Sequence, residues 1–193
     1  MIAAAGMAGS AMAAGSIGSS LDSMQSVDTM ARGTVGGTIS VDLNNVESWD
    51  AEGSPNNFTM TVNIGAGNSL VAIGWDVEVA TVGPSWLSEA TMSFSNTTGP
   101  AGLFLSVGAG NDAPGTMLFS SGGLLDLTDN MIPNITADAD GLITIEFFES
   151  YDDVIDEIDA FLNGKITLGI DVPAPGTAAL FGFGGLAATR RLR

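Results

Sequence analysis

The chain is 193 residues long, has neither cysteine nor histidine, and carries a net charge of −17 from 22 acidic and 5 basic residues. The missing residue types exclude disulfides, thiolate and imidazole metal sites, cysteine nucleophiles and a Ser-His-Asp triad within this sequence. Arg190, Arg191 and Arg193 close the chain, so the body holds only Arg32 and Lys165 against every acidic residue, about −20, which repels phosphate backbones and argues against nucleic acid as a partner.

Residues 1–16 (MIAAAGMAGSAMAAGS) are apolar and small, and Ala11-Met12-Ala13 supplies an A-x-A cleavage pattern. Residues 1–13 therefore read as the remnant of a secretory signal peptide, although no positively charged n-region precedes them. Residues 14–36 are Gly/Ser-rich and read as a disordered linker. From residue 37 to 171 the pattern changes to short β-rich runs between turn residues. Residues 38–43 and 57–64 alternate with period two, the second placing Phe58, Met60, Val62 and Ile64 on one face. Residues 69–80 form a longer run in which Val71, Ile73, Trp75, Val77 and Val79 share a face, and Gly74 suggests a bulge or a close backbone approach. Further strands are expected at 90–95, 103–107, 116–120, 124–127, 142–148 and 165–170. About nine short strands, without helical connections, predict an all-β domain: an antiparallel β-sandwich, jelly-roll-like.

One segment departs from this pattern. In residues 151–162 (YDDVIDEIDAFL) the apolar residues Tyr151, Val154, Ile155, Ile158, Phe161 and Leu162 recur at helical spacing, with acidic residues between them. The spacing fits a short amphipathic helix; an acidic loop between two strands fits the same residues.

Candidate sites are few. The run containing Asp152, Asp153 and Asp156 is the densest source of hard oxygen ligands, of the kind calcium takes, but it does not match the EF-hand loop, and a solvated acidic face is the plainer reading. No other cofactor is implied. Glu78, Glu89, Glu146 and Glu149 lie near predicted strands and could supply paired carboxylates for glycoside hydrolysis, though nothing in their local sequence marks a pair. Trp75 is in phase with apolar neighbours and belongs to the core. Trp49 and Trp86 lie near turns, where exposed rings could stack on a sugar, as Tyr151 could; filling the core is the plainer reading. Gly108-Ala109-Gly110-Asn111 lacks the Lys-Ser/Thr of a phosphate loop.

The C-terminus carries an address. Val172-Pro173-Ala174-Pro175-Gly176 is a stiff, extended break. It is followed by 13 uncharged residues, 177–189, and then the terminal arginines. A helix of that length is about 20 Å long, short of the roughly 20 residues that span a bilayer. Terminal arginines hold such an end in the cytoplasm during export.

This order of Pro motif, short hydrophobic helix and basic cluster resembles the PEP-CTERM sorting signal of bacterial exosortase substrates. The resemblance covers residues 172–193, with Ala174 standing where the family has Glu. It implies recognition of Val172, Pro173, Ala174, Pro175, Gly176, Arg190, Arg191 and Arg193 by a membrane-embedded exosortase, a transient membrane anchor, and delivery to the cell surface or extracellular matrix. The body, through SWLSEATMSFSN and DGLITIEFFES, resembles jelly-roll, galactose-binding-like and P-domain-like sandwiches at the level of fold. Together these features lead us to expect an exported, non-enzymatic surface or matrix protein. The alternative is a polysaccharide-binding sandwich, with calcium as a helper.

Overall fold

Period-two alternation runs through most of the body, and the strands follow it. The structure, a computed structural model, describes residues 15–17 and 36–172. Within them the chain is all-β. Its strands are β1 (Gly15–Ile17), β2 (Gly37–Ser48), β3 (Phe58–Asn63), β4 (Ser69–Thr81), β5 (Ala90–Asn96), β6 (Leu103–Leu105), β7 (Thr116–Ser120), β8 (Leu125–Asp126), β9 (Ile135–Thr136), β10 (Leu142–Glu149) and β11 (Ala160–Asp171). One sheet runs β1-β6-β5-β10-β3 and the other β2-β11-β4-β7. Strand pairs are antiparallel except β1 with β6, which run parallel.

The inner faces of both sheets share one core. Met92, Phe94, Ile143, Ile145 and Phe147 come from one sheet; Ile73, Trp75, Val77, Val79, Ile166 and Leu168 come from the other. Trp75 is buried, as its phase predicts. Such interleaving of alternate residues from two sheets is how a sandwich hides its apolar area.

Two bulges reset the alternation. Opposite Asn163 of β11, β2 places two residues, Asn44 and Asn45, so that burial passes from Val41 and Leu43 to Val46 and Ser48. Asn45 takes the left-handed conformation (φ 55) and its N–H donates to Asn163 Oδ1 at 2.8 Å. In β4 the register slips at Val71, so Leu70 rather than Val71 joins the core row of Ile73 and Trp75. Extra residues of this kind flip every later side chain to the other face. The bulge therefore sits three residues before Gly74. Gly74 itself is a site of close approach: a Cβ there would lie 2.6 Å from the Gly123 carbonyl oxygen.

Strands β7, β8 and β9 all pair with β4, in successive stretches from Ala80 down to Ser69. They make one interrupted edge, a form that limits edge-to-edge pairing with other chains.

Residues 151–162 do not form the helix their spacing allows. Residues 150–159 are irregular, with turns and bends, and Ala160–Leu162 open β11, paired with β2 and β4 on either side. The helical phase would bury Ile155 and expose Asp159; instead Ile155 is 75% exposed and Asp159 1%. Backbone pairing decides the outcome. Asp159 N–H donates to Ser48 O at 2.9 Å, Val82 N–H donates to Asp159 O at 2.7 Å, and Asp156 adopts φ 63, which no α-helix accommodates.

Val172 is half exposed just beyond β11. Residues 1–13, most of 14–36, and the tail from Pro173 to Arg193, including Pro175, Gly176, Arg190 and Arg191, lie outside the described residues apart from β1 and Gly36. Among the described residues no helix is long and apolar enough to cross a membrane.

Candidate acidic and aromatic site

Several acidic and aromatic residues meet at strand ends at one end of the sandwich. Here β2 ends at Ser48, β10 ends at Glu149, the β4–β5 connection runs from residue 82 to 89, and the acidic loop 150–159 leads into β11. Backbone bonds tie these segments together: Glu149 N–H to Asp50 O, Ser150 N–H to Glu89 O, and Asp159 N–H to Ser48 O, each at 2.9 Å.

Outside lies a cleft of about 400 Å³ lined by Pro84, Trp86, Glu89, Tyr151 and Asp153. Trp86 is 42% exposed and Tyr151 65%. A tight turn holds Trp86: its N–H donates to Glu89 Oε2 at 2.7 Å, and Glu89 N–H donates to Trp86 O at 3.1 Å. Burial raises the Glu89 carboxyl above its ordinary range, the Trp86 N–H opposes that, and the negative charges of Asp153 and Asp112 add to it. Trp49 does not join the cleft. It is half-buried, and its indole N–H donates to Glu47 Oε2 at 3.0 Å.

Beneath the cleft lies a buried carboxylate cluster. Glu149 follows Ile143, Ile145 and Phe147 on the inward face of β10, and only 1% of it is exposed. Its Oε1 accepts from the hydroxyl of Ser48, itself fully buried. Asp159 Oδ1 accepts from the buried hydroxyl of Ser85 at 2.8 Å. The second oxygens, Glu149 Oε2 and Asp159 Oδ2, are buried without a hydrogen-bond partner, as is Asp152 Oδ1. Burial pushes the Glu149 carboxyl up to about 8; the Ser48 bond acts against this, and the charges of Asp159, Glu89 and Asp152 act with it. Asp159 is pushed up to about 6 by burial, opposed by Ser85 and reinforced by Asp152, Asp153 and Asp50.

The aspartates singled out by sequence separate. Asp152 turns an oxygen inward, Asp153 lines the cleft, and Asp156 is exposed with its Oδ1 accepting from Asn56 Nδ2 at 2.9 Å. Among the described residues no three acidic side chains already stand together as a metal-ligand set. Asp50 is fully engaged, accepting from Ser54, Asn56 and the Asp156 N–H, which holds its carboxyl below the usual range despite its burial. Of the glutamates, Glu78 points outward on β4, and Glu146 accepts from the Gly53 N–H and Asn57 Nδ2. Neither belongs to the cleft.

At the other end of β5 a second cavity, about 330 Å³, is lined by Asn96, Gly99, Pro100, Ile135 and neighbours, with no charged or aromatic side chain. The nearby carboxylates are already engaged: Asp138 accepts from Thr97, Thr98 and Asn96, and Asp140 from Thr97 and the Leu142 N–H. They pin the β5–β6 turn and leave little for a ligand.

No protein-family profile matches the chain, and no curated protein matches it. Among solved structures, it is similar to the VP2 subviral particle of infectious bursal disease virus at 14% identity and a TM-score of 0.39, covering 75% of this chain and 34% of that one. The Gx-strain structure of the same virus gives 14%, 0.38, and 72% against 34%. The Gt-strain structure gives 13%, 0.37, and 70% against 32%. The matched part thus spans about a third of those chains.

Proposed function

We propose that this is a non-enzymatic, exported protein that binds neutral polysaccharide through the cleft of Trp86 and Tyr151. The observation that carries the binding is convergence. Two exposed rings from different connections line one concave surface, beside carboxylates that can accept hydrogen bonds from sugar hydroxyls. Aromatic faces offer large apolar area with few rotatable bonds, and a concave site adds specificity. A chain of net charge −17 repels anionic polymers, which favours a neutral one.

The finer architecture of this reading is a jelly roll. The orders β2-β11-β4-β7 and β3-β10-β5-β6 support it, since each sheet then draws four antiparallel strands alternately from the two halves of the chain. Export rests on the tail's sequence: a PEP-CTERM-like signal read by an exosortase, with the surface or matrix as destination. Intact-mass analysis of the fractionated native protein tests it. Loss of the segment after about residue 175 supports sorting, and a full-length cytosolic mass refutes it.

Binding is tested by affinity electrophoresis against a panel of neutral and anionic polysaccharides. The wild type should be retarded by at least one neutral polymer, and Trp86→Ala or Tyr151→Ala should abolish the retardation. No retardation by any neutral polymer would sink the proposal. A hydrolytic reading has one observation behind it, the presence of Glu89 and Asp153 in the same cleft. Release of reducing ends from a bound polymer, lost in Glu89→Gln, would establish that reading instead.

A further inference from the structure

Each sheet has two edges, and among the described residues three of the four are blunted. Along β2 the edge carries Asp42 and Glu47 and is bent by the bulge at Asn44-Asn45. The opposite edge of that sheet is the interrupted series β7, β8 and β9, and in the other sheet β1 is three residues long. Charges, bulges and short strands are the means by which folds keep their edges from pairing with other chains. The fourth edge, β3, has none of them. Phe58–Asn63 runs six residues in unbroken register with β10, and the chain has no charged residue between Glu52 and Asp76. Among the described residues β3 pairs with β10 alone.

Three hydrogen bonds fix the direction of its backbone groups. Ser150 N–H donates to Glu89 O, on the β5 side of β10, at 2.9 Å; Glu149 N–H donates instead to Asp50 O at 2.9 Å; and Ile64 N–H donates to Gly141 O at 2.8 Å. Successive residues of an antiparallel strand turn their N–H and C=O groups to alternate sides. Ile143, Ile145 and Phe147 therefore face β3, where Val62, Met60 and Phe58 meet them. Thr59, Thr61 and Asn63 turn their N–H and C=O groups the other way, out of the edge. Their side chains are exposed, while Met60 and Val62 pack against the core. Phe58 rests on Phe147 with ring centroids 6.0 Å apart and is still 42% exposed.

We propose that β3 pairs with β3 of a second copy of this chain, antiparallel about a two-fold axis at Thr61, so that two sheets join into one. Thr61 faces its own counterpart, Thr59 faces Asn63, and Met60 faces Val62 across the axis. This register sets outer residues against outer and inner against inner, as a continuous pleat requires. It also gives every outward N–H and C=O of Thr59, Thr61 and Asn63 a partner. Charge selects the occupant. A two-fold contact sets a patch against itself, so any charge in it meets its like. Two bodies of net charge −17 can meet closely only where neither presents an acid, and β3 is such an edge. A cationic partner strand would be held by carboxylates, which β3 lacks. Glu146, one strand behind, has its Oε1 engaged by the Gly53 N–H and Asn57 Nδ2. The contact uses none of the cleft residues, so it holds whether or not the cleft takes a sugar.

The test is sedimentation equilibrium of the full-length protein over a concentration series. A contact of one short strand per copy is smaller than a standard interface, so the expected result is a monomer–dimer equilibrium with a dissociation constant on the order of 100 μM. Thr61→Lys sets like charges against each other at the axis and should weaken the dimer at least tenfold. Thr61→Pro removes an N–H that β10 does not use and should do the same with the fold intact. Leu118→Lys, at an exposed position on β7, should leave the equilibrium unchanged. Because the chain has no cysteine, Thr61→Cys reads the register directly. Hydrogen-bonded partners in antiparallel strands have Cα atoms about 5.5 Å apart, within disulfide reach, so mild oxidation should link this variant into dimers. Thr59→Cys, which faces Asn63, should not be linked. If Thr61→Pro fails to fold, Thr61→Lys decides. A wild type that stays monomeric up to about 1 mM would overturn the proposal. So would association unchanged in Thr61→Lys, or equal linking of the two cysteine variants.

Discussion

Raising the pH from about 5 to about 8.5 should destabilise the protein, the opposite of the usual behaviour of an acidic side chain held by favourable contacts. In the unfolded chain Glu149 titrates near 4.5, and in the folded protein near 8. Below the lower value both states hold the proton and the stability associated with it is fully present. Between the two values the unfolded chain has released its proton and the folded protein has not, so stability falls as pH rises and the loss is complete above about 8. At about 1.4 kcal/mol per unit, a rise of this size corresponds to roughly 5 kcal/mol. Asp159 has the same sign, with its window between 3.8 and about 6. The groups facing Glu149 are Asp159, Glu89 and Asp152, all acidic, so none reverses the sign. Asp50 and Asp140 are shifted downward; their contributions are lost only as pH falls through the acid range, outside this window. Urea denaturation at the two pH values should show a midpoint lower by roughly 2 M at the alkaline one. Glu149→Gln, which keeps the shape and removes the charge, should flatten most of that dependence and exceed the wild type in stability at about pH 8.5. A wild-type midpoint that is level or rises with pH would refute the reasoning, and so would an unchanged slope in the variant.

Three further outcomes follow from packing. Trp75→Ala, at a site 3% exposed within the core, should cost about 3–5 kcal/mol in denaturant unfolding. Trp86→Ala and Tyr151→Ala should each change stability by less than about 0.5 kcal/mol while removing polysaccharide binding, a separation that unfolding and affinity electrophoresis read on the same samples. Gly74→Ala would press a methyl against the Gly123 carbonyl and should destabilise by about 1–3 kcal/mol, seen as a lower melting temperature.

Strands not reset by a bulge were legible in the sequence. Residues 116–120 and 142–148 match β7 and β10 to within a residue. Strands reset by a bulge were legible only in part. Residues 38–43 give the first half of β2 because Asn44-Asn45 breaks the phase, and Val71 sits in the apolar row of the sequence but outside the core cluster. The pair β9 is too short to alternate at all. The 151–162 segment misled because an irregular loop running into a strand can imitate helical spacing, while the hydrogen bonds from Asp159 and Val82 that exclude a helix join residues far apart in the chain.

The site divides in the same way. Exposure of Trp86 near a turn was foreseeable, but its meeting with Tyr151 in one cleft depends on how the β4–β5 and β10–β11 connections fold over the same end. Glu149 carried a readable signal, since extending the row of Ile143, Ile145 and Phe147 by one step places a carboxylate on the core face. Asp159 carried none, because its burial comes from Ser48 and Ser85, distant in sequence.

Tryptophan emission during saccharide titration tests the central claim most directly, because Trp75 is buried, Trp49 is half-buried with its N–H engaged, and Trp86 faces the cleft. A saturable blue shift with an oligosaccharide of the bound neutral polymer, absent in both Trp86→Ala and Tyr151→Ala, is the predicted result. Binding that saturates with no change in emission, or an identical shift in Trp86→Ala, would contradict a sugar-binding cleft built on these two rings.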